Sequence, residues 1–371
     1  MTLQLPRSDR SAIADPLVPT EQKLKLSAGV VFPLLGGRTV WSHEHLLPVF
    51  VSLIVALMLF AVPFPWLQLT VDGKPATPAL NEAWQVFSVL GVYIAFIINY
   101  YINQMCGRAR SGRLQALVSV ATFCLLASPV WDYWYRLFYF VIPGQSLENS
   151  RNVFAVIVGD TFGTGLCEEG LKAMPLLALA LLGLASPRSG RRQASGVSAF
   201  FNSVREHFAL REPLDGIVLG AASGSGFFIY ETLVQYVPHV IASDPGDGAF
   251  DGLVQLLARG LPQLTAHSAY CGLFGYFIGL AVLRPAMAGL LIPLGWISAA
   301  ILHGAWDATS DLATSALISA PAHVVIGLLS YALLAGAIFK ARDISPSFAV
   351  RCSRVRAAAR GGITGEPATP C

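Results

Sequence analysis

The chain alternates long apolar runs with short polar connections, most of the basic ones falling on every second connection. Read as helices, the runs cover residues 46–66, 83–105, 114 into 131–140, 153–184, 214–237, 252–283, 288–312 and 317–340. Each reaches or exceeds the roughly 20 residues that carry a helix across a bilayer core. The pattern therefore predicts an all-α, polytopic transmembrane bundle of about eight spans. Pro63 and Pro65 close the first span. The fourth, at about 48 Å of straight helix, is longer than the hydrocarbon core, so it must tilt, protrude or break. Gly163 and Gly165 mark its weak point. Gly216, Gly220 and Gly224 recur at a spacing of four and form a small-residue face that lets another helix come close. The stretch WDYWYRLFYF, 131–140, reads as an aromatic belt at an interface.

The basic residues fix an orientation. Residues 1–45, the 103–113 and 186–213 connections, Arg284 and the tail with Arg342, Arg351, Arg354, Arg356 and Arg360 share one side of an eight-span topology. The 67–82, 143–151, 238–251 and 313–316 connections share the other and are poor in bases. The positive-inside rule then places both termini in the cytoplasm. The organisation that follows is a cytoplasmic segment 1–45, accessory helices 46–142, a core 150–312, a further helix 313–340 and a basic cytoplasmic tail 341–371. Within the core, the 186–213 connection carries Phe200, Phe201, Val204, Phe208 and Leu210, an apolar face suited to an interfacial helix.

Composition narrows the class. Of 371 residues, 54% are apolar and 13% charged, and mean hydropathy is +0.58. A soluble protein carries about twice that charge. The expected location is a bacterial-type inner or plasma membrane, with the lipid bilayer as a partner and no nucleic acid. Six cysteines lack CxxC spacing and suggest neither a disulfide framework nor a zinc knuckle. The last four residues, ATPC, are not a prenylation box. The first apolar run starts near residue 46, too far in for a cleavable signal peptide.

Against this background the charges inside the spans stand out. A charged residue at the bilayer centre costs about 2.5–3.5 kcal/mol on insertion scales. The stretch GTGLCEEGLKAMP, 163–175, nevertheless holds Glu168, Glu169 and Lys172. Glu168 and Lys172 are four apart and expected to pair, leaving Glu169, about 100° round the helix, the freer carboxylate. Phe227 and Glu231 share a face in GSGFFIYET, His267 stands in LTAHSAYCG, and His303 and Asp307 share a face in ILHGAWDAT. Asp160 lies eight residues before Glu168 and supports the same face; Asp215 suits an N-cap or an interfacial pair. Counted along the spans, these groups lie roughly 10–22 Å from the outer helix ends. They can meet in the outer half of the membrane.

Carboxylates with imidazoles at that depth suit hydrolysis of a peptide bond by an activated water. One Glu serves as general base, assigned to Glu169. The imidazoles either hold a metal or donate to the developing oxyanion. The metal reading is a zinc ion on His267, His303, Asp307 and Glu231, a non-standard set because no HExxH is present. The other is a metal-free glutamate mechanism. Glu168, Glu169, Glu231 and His303 are the candidate catalytic residues, with Lys172, Phe227 and Asp160 supporting. A proton-coupled transporter or channel is the rival, since Glu, His and Lys relays also mark those. Such folds show internal repeats, and neither EEGLK nor GFFIYE has a second copy.

EEGLK at 168–172, GFFIYE at 226–231 and HGAWD at 303–307 resemble the EExxK, FxxxE and HxxxD motifs of PrsW-type intramembrane proteases, relatives of the CAAX prenyl proteases. The stretches 212–232 and 258–272 are similar as well. The resemblance covers residues 150–312. It implies cleavage of a membrane-anchored protein substrate near the extracytoplasmic side, in the manner of regulated proteolysis of an anti-sigma-like factor. It carries Glu168, Glu169, Glu231, His303 and Asp307 onto motif positions and His267 onto a looser one.

Overall fold

The computed structural model describes residues 70–71, 74–75, 77–107, 110–141, 147, 150, 152–184, 197–236, 238, 248–312, 316–350 and 352–353. The predicted first span, 46–66, the segment 1–45, the distal tail and parts of several connections lie outside them. Within them, a two-residue antiparallel ladder pairs β1 (Thr70–Val71) with β2 (Lys74–Pro75). Everything else regular is helical. The helices are α1 (Pro78–Met105), α2 (Gly112–Leu126), α3 (Pro129–Val141), α4 (Val153–Asp160) and α5 (Leu166–Leu184). They continue as α6 (Val197–Phe208), α7 (Pro213–Tyr230), α8 (Gly248–Leu283), α9 (Ala288–Leu312) and α10 (Ala316–Ile344).

Five of these segments are long and apolar enough to cross a membrane: Trp84–Met105, Pro213–Gln235, Ala266–Leu283, Pro285–Leu312 and Pro321–Ile344. The pair Gly112–Leu126 and Pro129–Phe140 would make a sixth, but it is bent by 67°. The expected third span is thus two helices. Ser128–Pro129 supplies the reason, because proline disfavours helical geometry in the residue before it. The expected fourth span is α4, a π-turn at Thr161–Gly165, then α5. It breaks at the predicted glycines, and it carries four charged residues, Asp160, Glu168, Glu169 and Lys172.

Helix α7 lies at the centre. All its residues from Pro213 to Phe228 are buried, a requirement its composition of Gly, Ala and Ser meets. Gly216 and Gly220 abut the backbone carbonyls of Gly275 and Cys271 on α8, and Gly275 and Gly279 return the contact to Gly216 and the Glu212–Pro213 backbone. A methyl group at any of these positions would collide with main chain. Farther along α7, Gly224 abuts the His267 carbonyl. This glycine seam sets the height of His267 relative to Phe227 and Glu231.

Polar bonds tie the flanking helices in at the same level. Thr122 of α2 meets Ser223 Oγ at 2.7 Å, and Ser223 donates to the Lys172 carbonyl at 2.6 Å. Asn99 of α1 donates to Ser225 Oγ at 2.7 Å, and Ser225 meets Ser268 of α8 at 3.1 Å. At the opposite end of α7, Arg110 pairs with Asp215 at 2.6 Å, while Asp215 also accepts the Arg211 amide at 3.0 Å. Of the two roles expected for Asp215, the pairing one is observed. Helix α6 falls within the 186–213 connection and fastens to α5 through Arg205, which donates to the Leu182 carbonyl at 3.1 Å.

Candidate active site

Four segments deliver the titratable side chains. The α4–π-turn–α5 rod brings Glu168, Glu169 and Lys172. The end of α7 brings Phe227 and, where it opens into a second π-turn at Glu231–Tyr236, Glu231. Helix α8 brings His267, and α9 brings His303 and Asp307. A π-turn loosens the regular i to i−4 ladder and concentrates at functional sites. Here one π-turn precedes the Glu168–Glu169 pair and the other starts at Glu231.

The floor of the site is sealed. Glu169 is wholly inaccessible, and Lys172, His267 and His303 are almost as buried. The Lys172 ammonium sits among them. It donates to Glu169 Oε1 at 2.8 Å and lies 3.1 Å from His267 Nδ1 and 3.4 Å from His303 Nδ1. It also lies 3.7 Å from the centre of the Phe227 ring, a cation–π contact that gives the predicted supporting residue its role. Glu169 Oε1 lies 3.0 Å from His303 Nδ1, and its Oε2 accepts from Cys271 Sγ at 3.2 Å. Three donors from three helices therefore converge on one buried carboxylate.

The mouth is different. Glu168, Glu231 and Asp307 side chains are 16%, 13% and 30% exposed. Glu168 Oε2 lies 3.4 Å from His303 Nε2 and 3.3 Å from Lys172 Nζ. Asp307 Oδ2 lies 3.6 Å from the same His303 Nε2 and 3.0 Å from Thr164 Oγ1. Glu231 Oε2 lies 3.1 Å from His267 Nε2. Lysine can only donate, so the 3.1 Å contact assigns His267 Nδ1 as acceptor and the ring proton to Nε2, facing Glu231. The imidazoles thus turn Nδ1 to the floor and Nε2 to the mouth.

All the candidate site residues meet here except Asp160, which is buried immediately before the π-turn and whose carbonyl accepts from Thr164 at 2.9 Å. One expectation is reversed. Lys172 does reach Glu168 across four residues, but its shorter bond is to Glu169, three residues away. The two histidine Nδ1 atoms and the Phe227 ring draw the ammonium inward, so Glu169 is the constrained carboxylate and Glu168 the open one. Sequence reading missed Cys271 and Thr164. Both carry a signal at helical spacing: Cys271 follows His267 by four, and Thr164 precedes Glu168 by four. It also missed Trp134 and Trp296, which donate to the Cys167 and Leu166 carbonyls at 2.7 and 2.9 Å and enclose Gly170 between their rings. These contacts come from α3 and α9 and have no local pattern.

Fold and site together define a class: a multi-pass helical membrane protein with a carboxylate–imidazole–lysine centre at the depth of its spans. The chain belongs to the PrsW family of intramembrane metalloproteases, whose sequence profile matches residues 82–334. It is also 28% identical over 102 residues to Protease PrsW of Shouchella clausii (strain KSM-K16). That alignment covers 28% of this chain and 42% of the relative. No solved structure matches it.

The family description raises the question of a metal. Glu169, His267 and His303 have donor atoms within 4.8 Å of one another. Lys172 Nζ, however, lies within 3.4 Å of a donor atom on each of the three. A divalent ion at that point would press against an ammonium, so the trio fits lysine rather than metal. In the set expected from sequence, His267 Nε2 is bonded to Glu231 at 3.1 Å, and His303 Nε2 lies 3.4 Å from Glu168 and 3.6 Å from Asp307. With the ammonium in place, the buried trio does not fit a resident zinc ion.

Proposed function

We propose that this protein is an eight-span intramembrane endopeptidase, with both termini cytoplasmic, that hydrolyses a membrane-anchored protein near the extracytoplasmic side by a metal-free glutamate mechanism. The observation that carries this reading is the division of labour between adjacent carboxylates. Glu169 is fully buried and bonded on both oxygens, whereas Glu168 is partly open and faces an imidazole Nε2 at 3.4 Å. General-base duty needs access to water, so it passes from Glu169, where sequence placed it, to Glu168.

In the cycle proposed, a water at the mouth gives a proton to Glu168 as its oxygen attacks the scissile carbonyl carbon. The oxyanion that forms accepts from His267 Nε2–H, which moves from Glu231 to the developing charge. His303, anchored at Nδ1 by Glu169, keeps its Nε2 beside Glu168 and steadies the transferred proton. Protonated Glu168 then delivers that proton to the leaving nitrogen as the C–N bond breaks. Lys172 holds the floor rigid, so the donors are aimed before the substrate arrives.

The substrate class follows from location. The peptide must reach carboxylates set below the outer surface, which suits a single-span protein whose juxtamembrane segment unwinds into the site. An anti-sigma-like factor is the example the family resemblance supplies. The test is the full-length protein in liposomes with a single-span reporter. Wild type should release a soluble fragment and Glu168→Gln should not; release by Glu168→Gln at the wild-type rate would contradict the assignment.

A further inference from the structure

The π-turn Thr161–Gly165 does more than break a long helix. It takes one residue more per turn than an α-helix, so it rotates α4 relative to α5 by about 100° from straight register. Helix α9 docks directly on it. Gly304 lies against the backbone and hydroxyl of Thr161, and Gly165 lies against the Ala300 carbonyl. A Cβ at Gly304 would collide with Thr161 Cα, and one at Gly165 would collide with that carbonyl. Two glycines on opposite sides of one contact therefore permit an approach that the π-turn geometry requires.

The result of that approach is a single polar contact. Thr164 Oγ1 reaches Asp307 Oδ2 at 3.0 Å, and its hydroxyl also lies 2.9 Å from the Asp160 carbonyl. Its one proton is shared between two acceptors. Among the described residues, Thr164 donates a hydrogen bond to Asp307, and His303 Nε2 lies 3.6 Å from the same oxygen. Asp307 is also the most exposed of the mouth carboxylates. Without Thr164, its side chain would be free to turn to water and away from His303.

We propose that Thr164 is a positioning residue of the active site, presented by the π-turn to hold the Asp307 carboxylate against His303 at the mouth. The inference rests on the protease reading, in which His303 steadies the proton on Glu168. Thr164 does not touch the reacting atoms; it acts through Asp307. The conformation it holds matters only while His303 Nε2 works, so its loss should appear in turnover rather than in substrate affinity.

The test compares Thr164→Val, Thr164→Ser, Asp307→Ala, the double variant Thr164→Val with Asp307→Ala, and Glu168→Gln. All are measured as full-length protein in liposomes, with the single-span reporter and with melting followed in the same lipid. Thr164→Val should lower kcat by about 10- to 100-fold, the scale of one hydrogen bond to a charged group, with KM unchanged. Thr164→Ser, which keeps the hydroxyl, should recover most of the rate. The double variant should be no slower than Asp307→Ala alone, because the two residues act as one unit. Thr164→Val at the wild-type kcat, or effects that multiply in the double variant, would overturn the proposal while leaving an inactive Glu168→Gln in support of the protease reading. If Thr164→Val melts early, Thr164→Ser decides: a kcat as low as that of Asp307→Ala overturns the proposal. Cleavage by Glu168→Gln at the wild-type rate would overturn the protease reading and this inference together.

Discussion

Glu168 and Glu169 are neighbours in sequence and opposites in structure. Glu169 belongs to the floor, where a lysine, a histidine and a cysteine from three helices bond it out of contact with solvent. Glu168 belongs to the mouth, 16% exposed and aimed at the other nitrogen of the same histidine. One residue of offset on α5, about 100°, is enough to place one carboxylate among fixed donors and the other beside the space a water can enter. The lesson is that a paired motif need not mean paired roles. Here the first member is partly open to solvent, and the second is held by three side chains.

The comparison breaks most sharply through substitution at the two positions. Glu168→Gln should abolish cleavage, a loss of at least about 1,000-fold if it is the sole base, with the melting temperature close to wild type. Glu169→Gln should damage folding as well as rate. It leaves the buried Lys172 ammonium without its shortest ion pair, and breaking one partner of a buried pair costs about 3–5 kcal/mol. Both are checked by pairing reporter cleavage with thermal melting in the same liposomes. Lys172→Met would sharpen the point from the other side, because it strands the Glu169 carboxylate and should destabilise by a similar amount, about 3–5 kcal/mol.

A smaller but discriminating effect concerns the metal. With the Lys172 ammonium among Glu169, His267 and His303, purified protein should contain no stoichiometric zinc. Its cleavage rate should change less than about twofold after exhaustive chelation. Element analysis alongside the cleavage assay checks both. The smallest effect is expected at Cys271. Its thiol supplies one of three bonds to Glu169 Oε1 and Oε2. Cys271→Ser should therefore retain activity, and Cys271→Ala should lose about 1 kcal/mol of stability, read from melting.

Much of the architecture was legible because bilayer length and hydropathy are strong, local signals. Residues 83–105, 214–237, 288–312 and 317–340 each correspond to an observed helix within a few residues. The Gly216–Gly220–Gly224 face was legible too, since small residues at a spacing of four have one main use in such helices. Depth counted along the spans also allowed Glu168, Glu231, His267 and His303 to meet. What escaped was decided by tertiary contact. The break between α2 and α3 is marked by Ser128–Pro129, but the bond from Trp134 of α3 to the Cys167 carbonyl of α5 is not specified by that local signal. The direction of the Lys172 side chain was open between three and four residues back, and two imidazoles from other helices decided it. Thr164 was visible only as a threonine beside glycines until α9 placed Asp307 against it.

The account depends most on which neighbouring carboxylate moves the proton. The direct measurement is the single-turnover cleavage rate of the single-span reporter by Glu168→Gln and Glu169→Gln, each in liposomes and normalised to folded protein by melting. The account predicts no detectable cleavage by folded Glu168→Gln and measurable, reduced cleavage by the fraction of Glu169→Gln that folds. Cleavage by Glu168→Gln with none by folded Glu169→Gln would contradict it.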